Sequence, residues 1–204
     1  MGQRSSHRIT KVASPKALGV LFLLIMSGSA FAASGDNNDP ANASGTNWTN
    51  PDSVYASDDA RATYTNIAQD TLFVTDFTIG AASGATIDSI VVSIEGHGTA
   101  GNSARRTLAI SLTKDGTNKM GDVVTLTLLK NTDTAQEVTG STNGLWGVSW
   151  TDTEINASTF GVIINNNNTT ADEIRIDHVQ VKVFWTGDVT APTIIQCHLQ
   201  GYGR

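Results

Sequence analysis

Apolar and polar residues alternate with a period of two along most of this chain. Leu108, Ile110 and Leu112 alternate with small or hydroxylated residues, and residues 122–129 and 179–185 repeat the pattern. Successive side chains on a β-strand point to opposite faces, so each run predicts a strand with one apolar and one largely polar face. The predicted strands lie near residues 54–65, 71–79, 87–97, 105–113, 122–129, 134–139, 144–150, 160–165 and 173–185.

The connections between these runs are short and rich in turn-forming residues. Asp115-Gly116 predicts a hairpin, and Asn143-Gly144 and the asparagine tract 165–168 predict further turns. Strands joined without crossover helices form antiparallel sheets. The sequence therefore predicts an all-β chain, an antiparallel β-sandwich of jelly-roll type with a single domain and disordered termini.

Two local features add detail to this architecture. Thr151 and Glu154 have the spacing of a capping box, which predicts one short helical turn over 152–157. The alternation changes phase within the last run, because Ile174 and Ile176 share one parity and Val179 shares the other with the residues that follow it. A β-bulge at Asp177-His178 accounts for this change; the alternative is that the strand crosses between sheets and buries each face in turn.

The first 32 residues predict an export signal. A basic stretch precedes the apolar run 17–26, and small residues at Ala30 and Ala32 suit a signal peptidase that cleaves after Ala32. The apolar run is shorter than the ~20 residues of a membrane span, so we expect a secreted or cell-surface protein without such a span. The remaining divisions are a flexible leader over 33–46, the sandwich over 47–186 and a tail over 187–204.

Charge and cysteine content narrow the set of partners. The net charge is −6, and removal of residues 1–32, which hold four of the 13 basic residues and no acidic one, makes it −10. An acidic surface repels phosphate groups, so nucleic acid and anionic lipid are not expected partners. The one cysteine, Cys197, excludes an intrachain disulfide, so stability has to come from an apolar core.

Five motifs follow one another along the chain: WTNP (48–51), YASDDARAT (55–63), LWGVSWT (145–151), FGV (160–162) and IDHVQV (176–181). Together they resemble a β-sandwich module of secreted bacterial surface proteins and phage fibre proteins. The resemblance covers roughly residues 46–186 and implies an extracellular domain without known catalytic residues. Residues 188–194 are similar to the junction that opens a bacterial immunoglobulin-like domain, and 195–204 then lack any alternation. We interpret this end as a truncated copy of a longer protein or as a genuine tail.

Aromatic residues provide one candidate for ligand binding. Trp146, Val148 and Trp150 fall on one face of a predicted strand, and exposed indoles at this spacing suit stacking on sugar rings. Core packing is the competing interpretation, since aromatic stripes at strand spacing usually face a core. Trp48 and Trp185 are similarly placed to cover the ends of a sandwich core, and we include Trp48 with Trp146 and Trp150 as ligand-binding candidates.

Carboxylates provide a candidate for metal binding. Asp58 and Asp59 are adjacent near the first predicted strand, and Asp177 lies at the predicted bulge. Calcium takes 6–8 oxygen ligands, so these three residues are the candidates for a calcium site. The competing interpretation is a turn in which an aspartate caps a backbone N–H.

Other chemistry is poorly supported by the residues. His97, His178 and Cys197 lack the spacing of a zinc site, and neither a GxSxG motif nor a distinctive carboxylate pair predicts an enzyme. Our leading hypothesis is a non-enzymatic module with an adhesion or spacer role in a surface-displayed protein. A carbohydrate-binding module that calcium stabilises is the alternative. The partner would be a cell-surface glycan or protein, and self-assembly through strand edges stays open.

Overall fold

A computed structural model describes residues 32–65, 70–99, 106–166 and 173–187. Within these ranges the regular secondary structure is almost entirely β-strand, with one 3-10 turn (Pro51–Val54) and one short helix, α1 (Asp152–Ile155). The strands are β1 (Ala32–Ser34), β2 (Asn42–Ser44), β3 (Ala62–Tyr64), β4 (Thr71–Thr75), β5 (Thr86–Gly98), β6 (Arg106–Thr113), β7 (Met120–Leu128), β8 (Thr134–Thr139), β9 (Gly161–Asn166) and β10 (Ile174–Thr186).

The strands form two antiparallel sheets. Sheet A has the order β1-β10-β5-β8, with β3 also paired to β10, and sheet B has the order β2-β4-β9-β6-β7. Along the named strands the chain changes sheet at each connection except the β6–β7 hairpin. The predicted antiparallel β-sandwich is therefore confirmed.

The alternating apolar residues face the space between the sheets. Ile90, Val92 and Ile94 of β5 are fully buried, as are Leu108 and Ile110 of β6. Burying one such side chain contributes about 1.5 to 3 kcal/mol. A single continuous cluster of this kind holds the two layers together.

Three local predictions are confirmed. The register between β10 and β5 shifts between Ile176 and His178, which places a bulge at the predicted position. Gly116 adopts a positive φ of 83° in the turn between the paired strands β6 and β7. Helix α1 begins with the complete capping box of Thr151 and Glu154.

The segment 33–46 differs from the predicted flexible leader. β1 pairs with the end of β10, and β2 pairs with β4 at the edge of sheet B. Between them Asn38 exchanges backbone hydrogen bonds with Val181, at 2.9 and 3.0 Å. Strand edges with free N–H and C=O groups accept a polar segment of this kind, because the pairing uses the backbone.

One predicted strand is shorter than expected, and another is absent. The run 54–65 contains only β3, because the 3-10 turn and a loop occupy its first half. The run 144–150 contains no strand and forms a turn, in which Asn143, Gly144 and Trp146 all have positive φ. The apolar alternation arises because this loop buries Trp146 and Trp150 in the core.

Several predictions fall outside the described residues. These are the export signal, apart from Ala32, the end of the asparagine tract and the junction and tail beyond Gly187. Within the described ranges, no helix has the length and apolar character that a membrane crossing requires.

Candidate functional site

The three tryptophans predicted as a sugar platform are buried. Trp146 is fully buried, and Trp48 and Trp150 are only 6% and 7% exposed. The Trp150 ring meets Phe160 edge to face, with ring centroids 5.4 Å apart. Their burial agrees with the competing interpretation of core packing and leaves no exposed indole platform for a sugar ring.

Trp146 anchors a loop that we call the tryptophan loop (residues 140–150). Its indole N–H donates to the carbonyl of Ile90 in β5 at 3.0 Å, and its own carbonyl accepts from Asp122 N–H in β7 at 2.7 Å. The loop is therefore bonded to both sheets at one end of the sandwich. Gly121 permits this approach, since a Cβ there would overlap the Trp146 carbonyl.

Most carboxylates in the loops accept hydrogen bonds from their own surroundings. One oxygen of Asp122 accepts from the N–H and hydroxyl of Ser141. Asp115 accepts from the side chain and N–H of Asn118 and from Thr117, and these bonds hold its pKa well below the usual range. Such groups stabilise turns and leave few acceptor sites for a ligand.

An open pocket of about 330 Å³ lies on the outer face of sheet B. Phe73 of β4, a half-buried ring that lies outside the core cluster, lines it together with exposed Asp76. Asp76 has a positive φ of 64°, an uncommon conformation that marks positions worth functional scrutiny. The other lining residues are small or polar: Asn42, Ser44, Thr75, Asp115, Gly116, Ser158 and Thr159.

A second candidate lies at the opposite sheet, where Asp59, Asp133 and Asp177 converge. One carboxylate oxygen from each residue lies within 4.8 Å of one from each of the others. Asp59 belongs to the loop before β3, Asp133 to the connection between β7 and β8, and Asp177 to the bulge of β10. We call these three residues the acidic cluster.

Arg61 provides the positive charge of the acidic cluster. Its Nε donates to Asp133 Oδ2 at 2.8 Å, and its Nη2 lies 2.5 Å from Asp59 Oδ1. The hydrogen bond with Asp133 raises the pKa of Arg61. One guanidinium thus faces three carboxylates.

Asp177 is the buried member of the acidic cluster. Asp177 is only 2% exposed. This burial raises the pKa of its carboxyl group, and the negative charges of Asp133 and Glu95 raise it further. The backbone N–H of Asp59 donates to the Asp177 carboxylate and acts in the opposite direction. Asp177 Oδ1 and Asp133 Oδ1 are both buried and have no hydrogen-bond donor among the described residues.

Two of the three predicted calcium ligands are therefore brought together, and the third is not. Asp58 faces solvent, where its Oδ1 accepts from Ala60 N–H at 3.0 Å, as the competing turn interpretation predicted. Asp133 was missed because it is 74 residues from Asp59 in the chain and no local motif marks it. The adjacent carboxylates Asp58 and Asp59 and the phase change at Asp177 are the sequence features that indicated this site.

His97 and His178 each lie close to an aspartate. His178 Nε2 lies 2.8 Å from Asp39 Oδ1, which ties the segment before β2 to β10. His97 is buried, and its Nδ1 lies 3.4 Å from Asp133 Oδ2 without forming a hydrogen bond. Neither belongs to the acidic cluster.

Comparisons with known proteins return little that is similar. No protein-family model and no curated protein sequence matches this chain. One solved structure aligns, that of TmCBM61 in complex with beta-1,4-galactotriose, with 10% identity, a TM-score of 0.33, and coverage of 74% of this chain and 86% of that one.

Proposed function

We propose that this chain is a non-enzymatic extracellular β-sandwich module with an adhesion or spacer role in a surface-displayed protein. The observation that carries the proposal is the use of its polar groups. Carboxylates such as Asp115, Asp122 and Glu154 stabilise turns and caps, and an uninterrupted apolar core fills the space between the sheets. The resemblance to surface-protein modules and the export signal predicted over residues 1–32 agree with this role.

Two measurements test the module hypothesis. Fractionation of the producing cells, with protease added to intact cells, should find the protein outside the cytoplasm and open to cleavage. Incubation with panels of polysaccharides and peptides should give no turnover above the buffer rate. A cytoplasmic location or a reproducible rate would contradict the proposal.

Carbohydrate binding is the second candidate, and the pocket around Phe73 supports it. A half-buried aromatic ring offers an apolar surface to a sugar ring, while Asp76 and Asn42 supply hydrogen-bond partners to hydroxyl groups. Small-molecule sites in proteins combine an apolar surface with a few polar groups in this way. This pocket replaces the buried tryptophans as the place where a glycan would bind.

A glycan array probed with the full chain separates the two candidates. If the pocket binds glycans, Phe73→Ala should weaken binding about tenfold, which corresponds to the ~1.4 kcal/mol typical of a lost aromatic contact. Val123→Ala is the matched control, because Val123 is a 53% exposed apolar residue on the same sheet and does not line the pocket. Glycan binding that Phe73→Ala leaves unchanged would remove this pocket from consideration, and no binding at all would favour the adhesion or spacer role.

A further inference from the structure

The acidic cluster contains buried acceptors for which the described residues provide no hydrogen-bond donor. A buried polar atom is normally hydrogen-bonded, and leaving one unpaired costs about 1 to 3 kcal/mol, or more when the group is charged. Asp133 Oδ1 and Asp177 Oδ1 are both in this state, and they belong to two residues of one cluster. The Asp122 carboxylate, by contrast, accepts hydrogen bonds from Ser141 and Thr142.

The net charge of the acidic cluster also favours a bound cation. With all three carboxylates ionised, Arg61 neutralises one of them, and the cluster keeps a net charge of −2 in a partly buried setting. Glu95 adds further negative potential at Asp177. A buried charge needs a partner of opposite sign, and one divalent cation would balance the two remaining charges.

We propose that the acidic cluster binds one calcium ion through Asp59, Asp133 and Asp177. Carboxylate oxygens are ligands that hard cations prefer, and the cluster offers oxygen donors without a thiolate. Calcium accepts irregular geometry and completes its 6–8 ligands with water or backbone carbonyls, whereas magnesium requires a near-ideal octahedron. The exposed side of Asp59, 86% accessible in its side chain, gives the ion a route in.

The bound ion would clasp three separate parts of the chain. It would join the loop that precedes β3 to the β7–β8 connection and to the bulge of β10. The bulge explains why Asp177 is buried next to Ile176, although consecutive residues of a regular strand face opposite sides of the sheet. This role does not depend on the proposed function, because the acidic cluster lies at sheet A, whereas the Phe73 pocket lies on sheet B, and the two share no residue.

Calcium titration of the full chain, first stripped with chelator, tests the proposal. Isothermal calorimetry should show one ion bound per chain. At a calcium concentration about 100 times Kd, the melting temperature should rise by roughly 5 to 10 °C. Magnesium at the same concentration should give a smaller rise.

Two isosteric variants locate the site. Asp177→Asn should abolish calcium binding and the thermal shift, yet in chelator it should melt at or above the temperature of the wild type, because it removes a buried like charge. This expectation separates loss of a ligand from loss of the fold. Asp58→Asn is the matched control, since Asn keeps the Oδ1 that caps Ala60, and it should bind calcium as the wild type does.

Three results would overturn the proposal. The first is a wild type that neither binds calcium nor gains thermal stability from it. The second is an Asp177→Asn variant that binds calcium with unchanged affinity, and the third is an Asp58→Asn variant that loses binding. A glycan-array result of either sign leaves these outcomes unaffected, so the two proposals fail independently.

Discussion

The tryptophan loop and the acidic cluster both place polar groups at the margins of the sandwich, but the acidic cluster pairs its carboxylates only in part. Trp146 donates to Ile90, and the Asp122 carboxylate beside it accepts from Ser141 and Thr142. In the acidic cluster, Asp133 and Asp177 each have one buried oxygen that receives no hydrogen bond from the part of the chain that the structure describes. Aspartate therefore stabilises the fold in one region and is available to a ligand in the other. The difference is whether its carboxylate oxygens already accept hydrogen bonds from the protein.

The largest expected effect on stability comes from the tryptophan loop. Trp146→Ala should lower the free energy of unfolding by about 3 to 5 kcal/mol, because it empties a fully buried site and leaves the Ile90 carbonyl without this donor. Urea denaturation should show the same loss with calcium and with chelator. Val148→Ala, at a half-buried position of the same loop, should cost much less. A loss below about 1 kcal/mol for Trp146→Ala would contradict the anchoring role.

The carboxylate of the same region should have an intermediate effect. Asp122→Ala removes the acceptor for Ser141 and Thr142 and should cost about 1 to 2 kcal/mol in denaturant unfolding, again independently of calcium. Asp177→Asn measured alongside in chelator should show no such cost. If calcium rescued Asp122→Ala, or if both variants lost the same stability in chelator, the distinction between filled and unfilled carboxylates would not hold.

The smallest effect concerns Glu154, another carboxylate with filled acceptors. The hydrogen bond from Lys114 lowers its pKa, with the N–H of Thr151 adding to the shift. A lowered folded pKa contributes stability above the ordinary value of 4.5, and this contribution is lost as the pH falls through the folded pKa. Glu154→Gln keeps the capping box, so it should cost only about 0.5 kcal/mol at pH 7 after solvent screening.

The measurement for Glu154 is the free energy of unfolding against pH. The curves of the wild type and Glu154→Gln should converge below the folded pKa, and added salt should narrow the gap at pH 7. A gap that persists unchanged in strong acid would show that the effect is not the charge of Glu154.

Local patterns were sufficient for the elements whose burial is periodic. The runs that became β5, β7 and β10 were predictable because alternation reports one buried face directly. The bulge at residue 177 was predictable for the same reason, since an extra residue reverses the parity. Alternation failed at residues 144–150, where positive φ at Gly144 and Trp146 ends any strand.

By itself the sequence determined the fold class, the hairpin at Gly116, the capping box of α1 and the acidic character of the chain, because each depends on neighbours within a few positions. Only the tertiary structure decided which aromatic rings are buried and which carboxylates meet. Arg61 and Asp133 are 72 residues apart and Asp177 comes from a third segment, so their contact exists only once the strands of sheet A have assembled. Whether a carboxylate has its acceptors filled is likewise a property of the assembled loops, because the donors come from wherever the chain returns.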